Sequence, residues 1–172
     1  MEYEKKIKSI FKDSNIAFTQ QEIDGIDYAD FGLNNITEEG LNLIVYINND
    51  RYCAKEMALL AGQTCPEHRH PRRGKNLEIE GKEETFRVRQ GQVYLYVEGE
   101  KNVEKISARL PEKNKEWYTA IHEIVLNAGE QYTISPNTRH WFQAGEEGAI
   151  ISEFSSPSDD SSDIFTNPNI KR

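Results

Sequence analysis

The sequence has few of the residues that several classes of protein require. It has only two cysteines, Cys53 and Cys65, so it cannot carry a disulfide framework, and we expect two buried thiols. No run of about 18 apolar residues occurs, so no transmembrane helix is expected. The charged first residues are not followed by an apolar stretch, which predicts a chain without a signal peptide and makes the cytoplasm the expected location.

Positive charge is also in short supply. The chain has 21 Lys and Arg residues against 29 Asp and Glu residues, which gives a formal net charge of -8. Such a balance repels phosphate backbones and anionic lipid surfaces, so we expect neither nucleic acid nor membrane as a partner. At 172 residues the chain is long enough for one domain with a substantial core.

The spacing of apolar residues changes once along the chain, from a helical period to the alternation typical of strands. Residues 1–40 predict a helical extension, with a second helix over residues 20–30 that follows a capping-box pattern at Thr19 and Glu22. Short alternating segments separated by turn residues then predict a β-barrel or sandwich over residues 41–166, and residues 155–172 read as a polar tail. The predicted strands include residues 53–60, 84–89, 92–98, 117–126, 131–134 and 149–154, with a long loop at 100–116.

Two of the four histidines stand one residue apart, in His68-Arg69-His70. On a strand, this spacing turns both imidazoles to one face and Arg69 to the other. Two imidazoles on one face are the beginning of a site for a divalent metal. A lone pair of this kind also occurs by chance on surface strands.

The surroundings of the pair strengthen the metal interpretation. Gly62 precedes His68 by five intervening residues, and Glu84 precedes Gly91 by six, so that the segment reads G-x5-H-x-H followed by E-x6-G. Further on, Gly129 and His140 stand eleven positions apart with Pro136 between them, which gives a second motif in the order Gly, Pro, His. Together these motifs resemble those of the cupin superfamily. The resemblance implies an all-β fold, the cupin double-stranded β-helix with short N-terminal helices.

In that superfamily the motif histidines and glutamate hold one metal, which here implies the ligands His68, His70, Glu84 and His140. The identity of the glutamate is the open point, because the 13 residues 71–83 separate it from His70, a longer spacing than usual. Strand parity favours Glu84, which alternates onto the same face as Phe86 and Val88. The neighbouring alternatives are Glu78, Glu80 and Glu83.

Three imidazoles and one carboxylate form a mixed nitrogen and oxygen set, which suits Mn²⁺, Fe²⁺, Co²⁺, Ni²⁺ or Zn²⁺. An octahedral metal on these ligands would keep two positions for a bidentate substrate such as a carbonyl with its adjacent hydroxyl. His122, the remaining histidine, would either line the pocket or pack within a strand.

Several short stretches in one order resemble the D-lyxose isomerase family over residues 40–166. They are Tyr52-Cys-Ala-Lys55-Glu-Met57, Pro66-Glu-His68-Arg-His70, Lys82-Glu-Glu84, Ser135-Pro-Asn-Thr-Arg-His140-Trp-Phe, and Glu153-Phe-Ser155-Ser156 followed by Asp159-Asp160. The resemblance implies a cytoplasmic aldose–ketose isomerase that takes a free sugar, D-lyxose with D-xylulose and also D-mannose with D-fructose, and that uses Mn²⁺.

A cis-enediol route then needs a base and an acid or oxyanion stabiliser near carbons 1 and 2. Glu153 is the expected base, Lys82 the expected oxyanion stabiliser or acid, and Lys55 a further candidate if it points inward. Each of the three also has a plain interpretation as a solvated or strand-end polar residue. Open strand edges favour pairing between copies, so we expect a homodimer.

Other functions remain open at this level. A cupin with free metal positions also suits an Fe²⁺ dioxygenase, and a non-catalytic sugar-sensing cupin is a third class. The basic group Arg72-Arg73-Gly74-Lys75 would suit a sugar phosphate, although a charge run in a loop is usually solvated. Four aromatic residues would either stack on a sugar or belong to the core: Trp117, Tyr118, Trp141 and Phe142.

Overall fold

The computed structural model describes residues 2–172, and within them nine strands form one antiparallel sheet that curls into a barrel. The all-β prediction is therefore confirmed. Helices α1 (Glu2–Asp13) and α2 (Gln20–Asp24) precede most of the sheet. The strands are β1 (Asp27–Ala29), β2 (Leu41–Asn48), β3 (Cys53–Leu59), β4 (Thr64–Arg69), β5 (Glu84–Val97), β6 (His122–Asn127), β7 (Gln131–Ile134), β8 (His140–Ser155) and β9 (Ile164–Phe165).

Strand β8 is the centre of the sheet, because it pairs with β3, β4 and β5. Its first half lies between β4 and the second half of β5, and its second half lies between β3 and the first half of β5. The two halves meet at a bend where Gly91 and Gly148 have φ angles of +74° and +80°. A Cβ on Gly91 would lie 2.1 Å from the carbonyl oxygen of Gly148, so only glycine fits there. The bend closes the barrel.

The core lies on the inner face of the curled sheet. It is built from alternating side chains of the long strands, among them Leu43, Met57, Val88, Leu95 and Ile151. Helix α1 packs on the outer face instead, where Ile7 and Phe11 are fully buried against Ala58 and Ile150. The N-terminal helices therefore cover one outer face, and the inner cavity is left to the barrel and to the chain's C-terminal end.

Three predicted elements differ from the structure. The predicted helix over 20–30 ends at Asp24, although its capping box is present, and residues 27–29 form β1 on the edge of β2. The predicted strands 84–89 and 92–98 are one strand, β5, which pairs with β8 on both sides of a register shift at Gly91. In the predicted strand 117–126 the first residues form a short 3₁₀ helix and loop, and β6 begins only at His122.

The cysteines and the absence of a membrane-spanning helix among the described residues also agree with the sequence analysis. Cys53 and Cys65 are both buried and free, as predicted. Every helix in the described chain is too short or too polar to cross a bilayer.

Candidate metal centre

The histidines come together because β4 and β8 are neighbours in the sheet. His68 on β4 is the direct cross-strand partner of His140 at the start of β8. His70 lies one residue beyond the end of β4, and it is buried like His68 while Arg69 between them is exposed. The predicted arrangement, with both imidazoles on one face, is confirmed.

The insertion before Glu84 does not carry this residue away from the histidines, because residues 71–83 fold back on themselves. Arg73 and Ile79 form a bridge across the loop. At the loop's end Gly81 packs so closely on the backbone of His70 that a Cβ would lie 2.0 Å from the carbonyl oxygen of His70. Glu84 then starts β5 as a buried residue, whereas Glu83 is exposed. The parity argument for Glu84 agrees with this burial pattern.

The four predicted ligands meet at one point. One ligand atom from each of them, His68, His70, Glu84 and His140, lies within 4.8 Å of all the others. Oε1 of Glu84 lies 2.8 Å from Nε2 of His140 and 3.3 Å from Nε2 of His70. All four side chains are buried, and His140 is completely so. The prediction grouped these residues, and the structure brings them together.

The outer nitrogen of each imidazole is held by an acceptor. Nδ1 of His68 lies 2.8 Å from the carbonyl oxygen of Pro66, and Nδ1 of His140 lies 2.9 Å from that of Thr138. Nδ1 of His70 lies 2.5 Å from Oδ1 of Asp163. Because carbonyl and carboxylate oxygens only accept, each Nδ1 carries the hydrogen. In a neutral ring, the lone pair is therefore on Nε2, the nitrogen that faces the centre.

The hydrogen-bonding state of the atoms that face the centre shows whether this cluster suits a cation. Nε2 of His70, Nε2 of His140 and Oε1 of Glu84 are buried without a hydrogen-bond partner in the described chain. Buried polar atoms without a partner are rare and costly. Here they are lone-pair donors directed at a common point, and a divalent metal satisfies such a set. The residues fit a metal centre of the His₃Glu type.

The electrostatics of the cluster are those of a site built around positive charge. Burial, aided by the neighbouring His140 and His70, holds the pKa of His68 well below its usual value. Burial acts on the pKa of His70 in the same direction, but the carboxylates of Glu84 and Asp163 outweigh it and raise that pKa to about 9. A metal would therefore displace a proton from Nε2 of His70 to use its lone pair. Burial would raise the pKa of Glu84, yet Lys82 and His70 lower it well below its usual value. Glu84 is therefore an anion, ready to bind a cation.

The predicted catalytic residues border the same cavity. Nζ of Lys82 lies 2.5 Å from Oε2 of Glu84 and 3.0 Å from Oε1 of Glu153. Nζ of Lys55 lies 3.7 Å from the same oxygen of Glu153, since the two residues are cross-strand partners on β3 and β8. Burial would lower the pKa of Lys82, but Glu153 and Glu84 overcome it and raise the pKa above its usual range, so this lysine is charged. Lys55 does point inward.

The cluster borders a small cavity of about 40 Å³ that opens to solvent. Part of its wall comes from a segment that the sequence did not predict to be functional. Residues 158–172, which we call the C-terminal strap, place Asp160, Asp163, Phe165 and Arg172 in the cavity wall. The predicted polar tail thus packs over the barrel. The available signal was Asp159-Asp160, which the family resemblance had singled out without assigning a role to either residue.

Several candidates from the sequence lie outside the cavity. Nδ1 of His122 donates to the carbonyl oxygen of Glu100 at 2.9 Å, away from the cluster. Trp141 stacks on Tyr96 at a ring distance of 4.0 Å, and Tyr118 packs on its edge, so these aromatics belong to an outer core. Phe142 is the one member of the aromatic group that borders the cavity.

Fold and site together define the class of protein. A curled antiparallel barrel of this kind is a cupin, and the buried His₃Glu cluster at its inner face is a set of residues that could hold a metal ion. A solved RmlC-like cupin from Shewanella frigidimarina shares the fold, with a TM-score of 0.51 over 86% of this chain and 94% of that chain at 16% identity. L-ribose isomerase from Acinetobacter sp. DL28 is more similar in structure, with a TM-score of 0.76 over 98% and 91% of the two chains at 15% identity.

The sequence comparisons identify the family. The model of the D-lyxose isomerase family matches residues 4–172. A relative from Thermosediminibacter oceani described as a D-lyxose/D-mannose isomerase is 60% identical, over 99% of this chain and 92% of its own length. A D-lyxose ketol-isomerase from Cohnella laeviribosi is 53% identical, over 97% and 90%. The chain therefore belongs to the D-lyxose isomerase family and is an enzyme of the sugar isomerase class.

Proposed function

We propose that this protein is a divalent-metal-dependent aldose–ketose isomerase that interconverts D-lyxose and D-xylulose, and D-mannose and D-fructose, through a cis-enediol. The observation that carries the proposal is the set of partnerless, inward-facing atoms of His70, Glu84 and His140 beside the buried Glu153. The names of the two relatives support the choice of sugars. Mn²⁺ is the metal we propose, among those that the ligand set accepts.

His68, His70, Glu84 and His140 would hold the metal. When bound, it would supply Lewis acidity to the carbonyl and adjacent hydroxyl oxygens of an open-chain sugar. Four protein ligands leave room for those two oxygens. The chain itself then has to move one proton between carbons 1 and 2.

Glu153 is the proposed base. Both lysines contact the same oxygen, Oε1 of Glu153. Because these printed contacts use Oε1, we propose that Oε2 takes the proton from one carbon and returns it to the other. The side chain is held in place, because it is buried on β8 and fixed by Lys82 at 3.0 Å.

Lys82 and Lys55 hold the positive charge next to this base. Lys82 contacts Glu84 and Glu153 together, so it lies where negative charge develops on the sugar oxygens during proton transfer. A charged ammonium at that position donates a hydrogen bond to such an oxygen. Lys55 donates at 3.1 Å to Oγ of Ser158 in the C-terminal strap and lies farther from the metal ligands than Lys82 does.

The charge balance of the cavity favours a free sugar over a sugar phosphate. Each cation in the wall already has carboxylate partners, since Lys82 and Lys55 contact Glu153 and Arg172 contacts Asp160 at 2.9 Å. No unpaired guanidinium is left in this wall for a phosphate group. In the basic loop, Arg72 pairs with Glu80, and Arg73 pairs with Asp159 at 3.1 Å.

The test is isomerisation of D-lyxose in D₂O by the Mn²⁺-loaded protein, followed by NMR. Proton transfer by Glu153 exchanges with solvent, so we expect deuterium in the sugar formed. A product that stays free of deuterium after many turnovers would contradict the enediol route and indicate an internal hydride shift. The same assay without oxygen separates the proposal from a dioxygenase, which would stop under those conditions.

A further inference from the structure

We propose that Asp163 is a positioning residue for the metal ligand His70, and that through it metal binding and closure of the C-terminal strap stabilise each other. The inference rests on the metal centre of the proposed function and adds to it a residue outside the ligand set. It follows from where the strap touches the molecule.

The contact between Asp163 and His70 differs from those at the other two histidines. His68 and His140 direct Nδ1 to backbone carbonyl oxygens within two residues of themselves. His70 instead directs Nδ1 to a carboxylate 93 positions away, at 2.5 Å. A carboxylate partner fixes the ring and raises the basicity of the opposite nitrogen more than a neutral carbonyl does. His70 is therefore the ligand whose orientation depends on a distant segment.

The strap touches a second ligand as well. Strand β9 pairs with the edge of β4, so that Phe165 is the cross-strand partner of His68. The two rings lie 5.4 Å apart and tilted by 32°. The strap thus orients one imidazole through Asp163 and packs on another through Phe165. When the strap is displaced, two of the four ligands lose a neighbour.

The far end of the strap is fastened by charges. Arg172 contacts Asp27 at 2.7 Å and Asp160 at 2.9 Å. The backbone N–H of Lys171 donates to the carbonyl oxygen of Phe31 at 2.9 Å. These contacts do not involve a metal ligand, so weakening them loosens the strap and leaves the ligand set whole.

Coupling of this kind works in both directions. If the closed strap improves metal binding, the bound metal must hold the strap closed by the same factor. Metal binding should therefore protect the strap, and loosening its fastened end should weaken the metal although no ligand has changed.

The experiment compares Asp163→Asn with the wild type and with Asp159→Asn. The asparagine keeps an acceptor for Nδ1 of His70 and removes only the charge. Asp159 is a matched control in the same strap, because its carboxylate pairs with Arg73 at the surface. We expect Asp163→Asn to raise the Kd for Mn²⁺ by about 10–100-fold, measured by competition with a fluorescent chelator. It should also shift the visible bands of the Co²⁺-loaded protein, while Asp159→Asn leaves both unchanged.

A second variant, Arg172→Ala, tests the coupling if Asp163→Asn does not fold. We expect it to raise the Kd for Mn²⁺ by about five-fold or more and to abolish the protection of the strap from carboxypeptidase by Mn²⁺. Unchanged affinity and spectrum in Asp163→Asn would overturn the positioning role, and unchanged affinity in Arg172→Ala would overturn the coupling. If the wild type itself bound no Mn²⁺, the proposed metal centre would fail first.

Discussion

Two regions of the barrel contain buried carboxylates, and these carboxylates differ in whether their oxygens have hydrogen-bond partners. Outside the cavity, both oxygens of Glu67 accept hydrogen bonds. Oε2 accepts from the backbone N–H groups of Thr119 and Ala120, each at 2.6 Å, and Oε1 accepts from the hydroxyl groups of Thr119 at 2.8 Å and Thr166 at 2.6 Å. At the inner face, Oε1 of Glu84 has no hydrogen-bond partner and is surrounded by imidazole nitrogens.

The difference separates structural carboxylates from functional ones. Glu123 belongs to the first kind, because it accepts from the hydroxyl group of Tyr96 and from the N–H and hydroxyl groups of Ser107. Such a residue anchors a loop, because both of its oxygens already accept hydrogen bonds. We assign Glu84 and the proposed base Glu153 to the second kind, since Oε1 of Glu84 has no hydrogen-bond partner in the described chain and the contacts of Glu153 with Lys82 and Lys55 use its Oε1. Burial alone does not identify a site, whereas several unsatisfied atoms that converge on one point indicate one.

Removal of a ligand should produce the largest effect. We expect His140→Ala to lower kcat/KM by about 10³-fold or more, because the metal's Lewis acidity is worth several kcal/mol. Metal content, measured by mass spectrometry on the dialysed variant, should fall with the activity. His122→Ala is the matched control, since this histidine lies outside the cluster. Full activity and metal in His140→Ala would show that the cluster is structural.

Removal of the proposed base should lower activity less than removal of a ligand does, and it should leave the metal bound. We expect Glu153→Gln to lower kcat by about 10²–10⁴-fold, the usual worth of a positioned general base. Its Mn²⁺ content should equal that of the wild type, because Glu153 touches Lys82 and Lys55 but no histidine. Steady-state kinetics with metal analysis of the same preparation provides the check. A variant that turned over normally would remove Glu153 from the mechanism.

A carboxylate of the structural kind should affect stability and leave turnover intact. We expect Glu123→Gln to lower the free energy of unfolding by about 2 kcal/mol, the cost of leaving buried donors poorly paired, and Tm by about 4–8 °C. Saturating kcat should stay near the wild-type value. A large loss of kcat with an unchanged Tm would break the distinction between the two regions.

The pH dependence of that loss has a definite sign. Burial would raise the pKa of Glu123, but hydrogen bonds from Ser107 and Tyr96 overcome this and lower it below its ordinary 4.5. The stabilising contribution is therefore present above pH 4.5 and disappears as pH falls through the lower folded-state pKa. Thermal melts of the wild type and Glu123→Gln should converge in acid and differ at neutral pH.

The smallest effect is expected in the basic loop. Arg73→Ala removes a surface pair with Asp159, so kcat/KM for D-lyxose should change by less than about two-fold. A parallel assay with a pentose phosphate checks the alternative substrate class. Strong turnover of the phosphate that Arg73→Ala abolishes would show that the loop binds substrate.

The four proposed metal ligands could be predicted from the sequence, because the patterns that identify them lie within short segments. Strand parity places His68 and His70 on one face, and the spacing from Glu84 to Gly91 reflects the bend where β5 and β8 turn together. The same parity selects Glu84 from its acidic neighbours. These patterns depend on a period of two along a strand, which is visible in one segment at a time.

The other parts of the site depend on contacts between distant segments. Asp163 reaches His70 across 93 positions, and nothing near Asp163 distinguishes it from a solvated acid. The helix predicted over residues 20–30 fails for a related reason, because pairing with β2 makes residues 27–29 a strand. Trp141 shows the reverse case, since an aromatic expected near a sugar instead packs on Tyr96 in an outer core.

The central claim is that His68, His70, Glu84 and His140 bind one metal on which isomerisation depends. The most direct measurement is a titration of the metal-free protein with Mn²⁺, with bound metal and D-lyxose turnover followed together. We predict that activity rises in proportion to occupancy and reaches its plateau at one Mn²⁺ per chain. Metal-free protein that isomerised D-lyxose at the full rate, or Mn²⁺ bound equally well by the His68→Ala variant, would contradict the account.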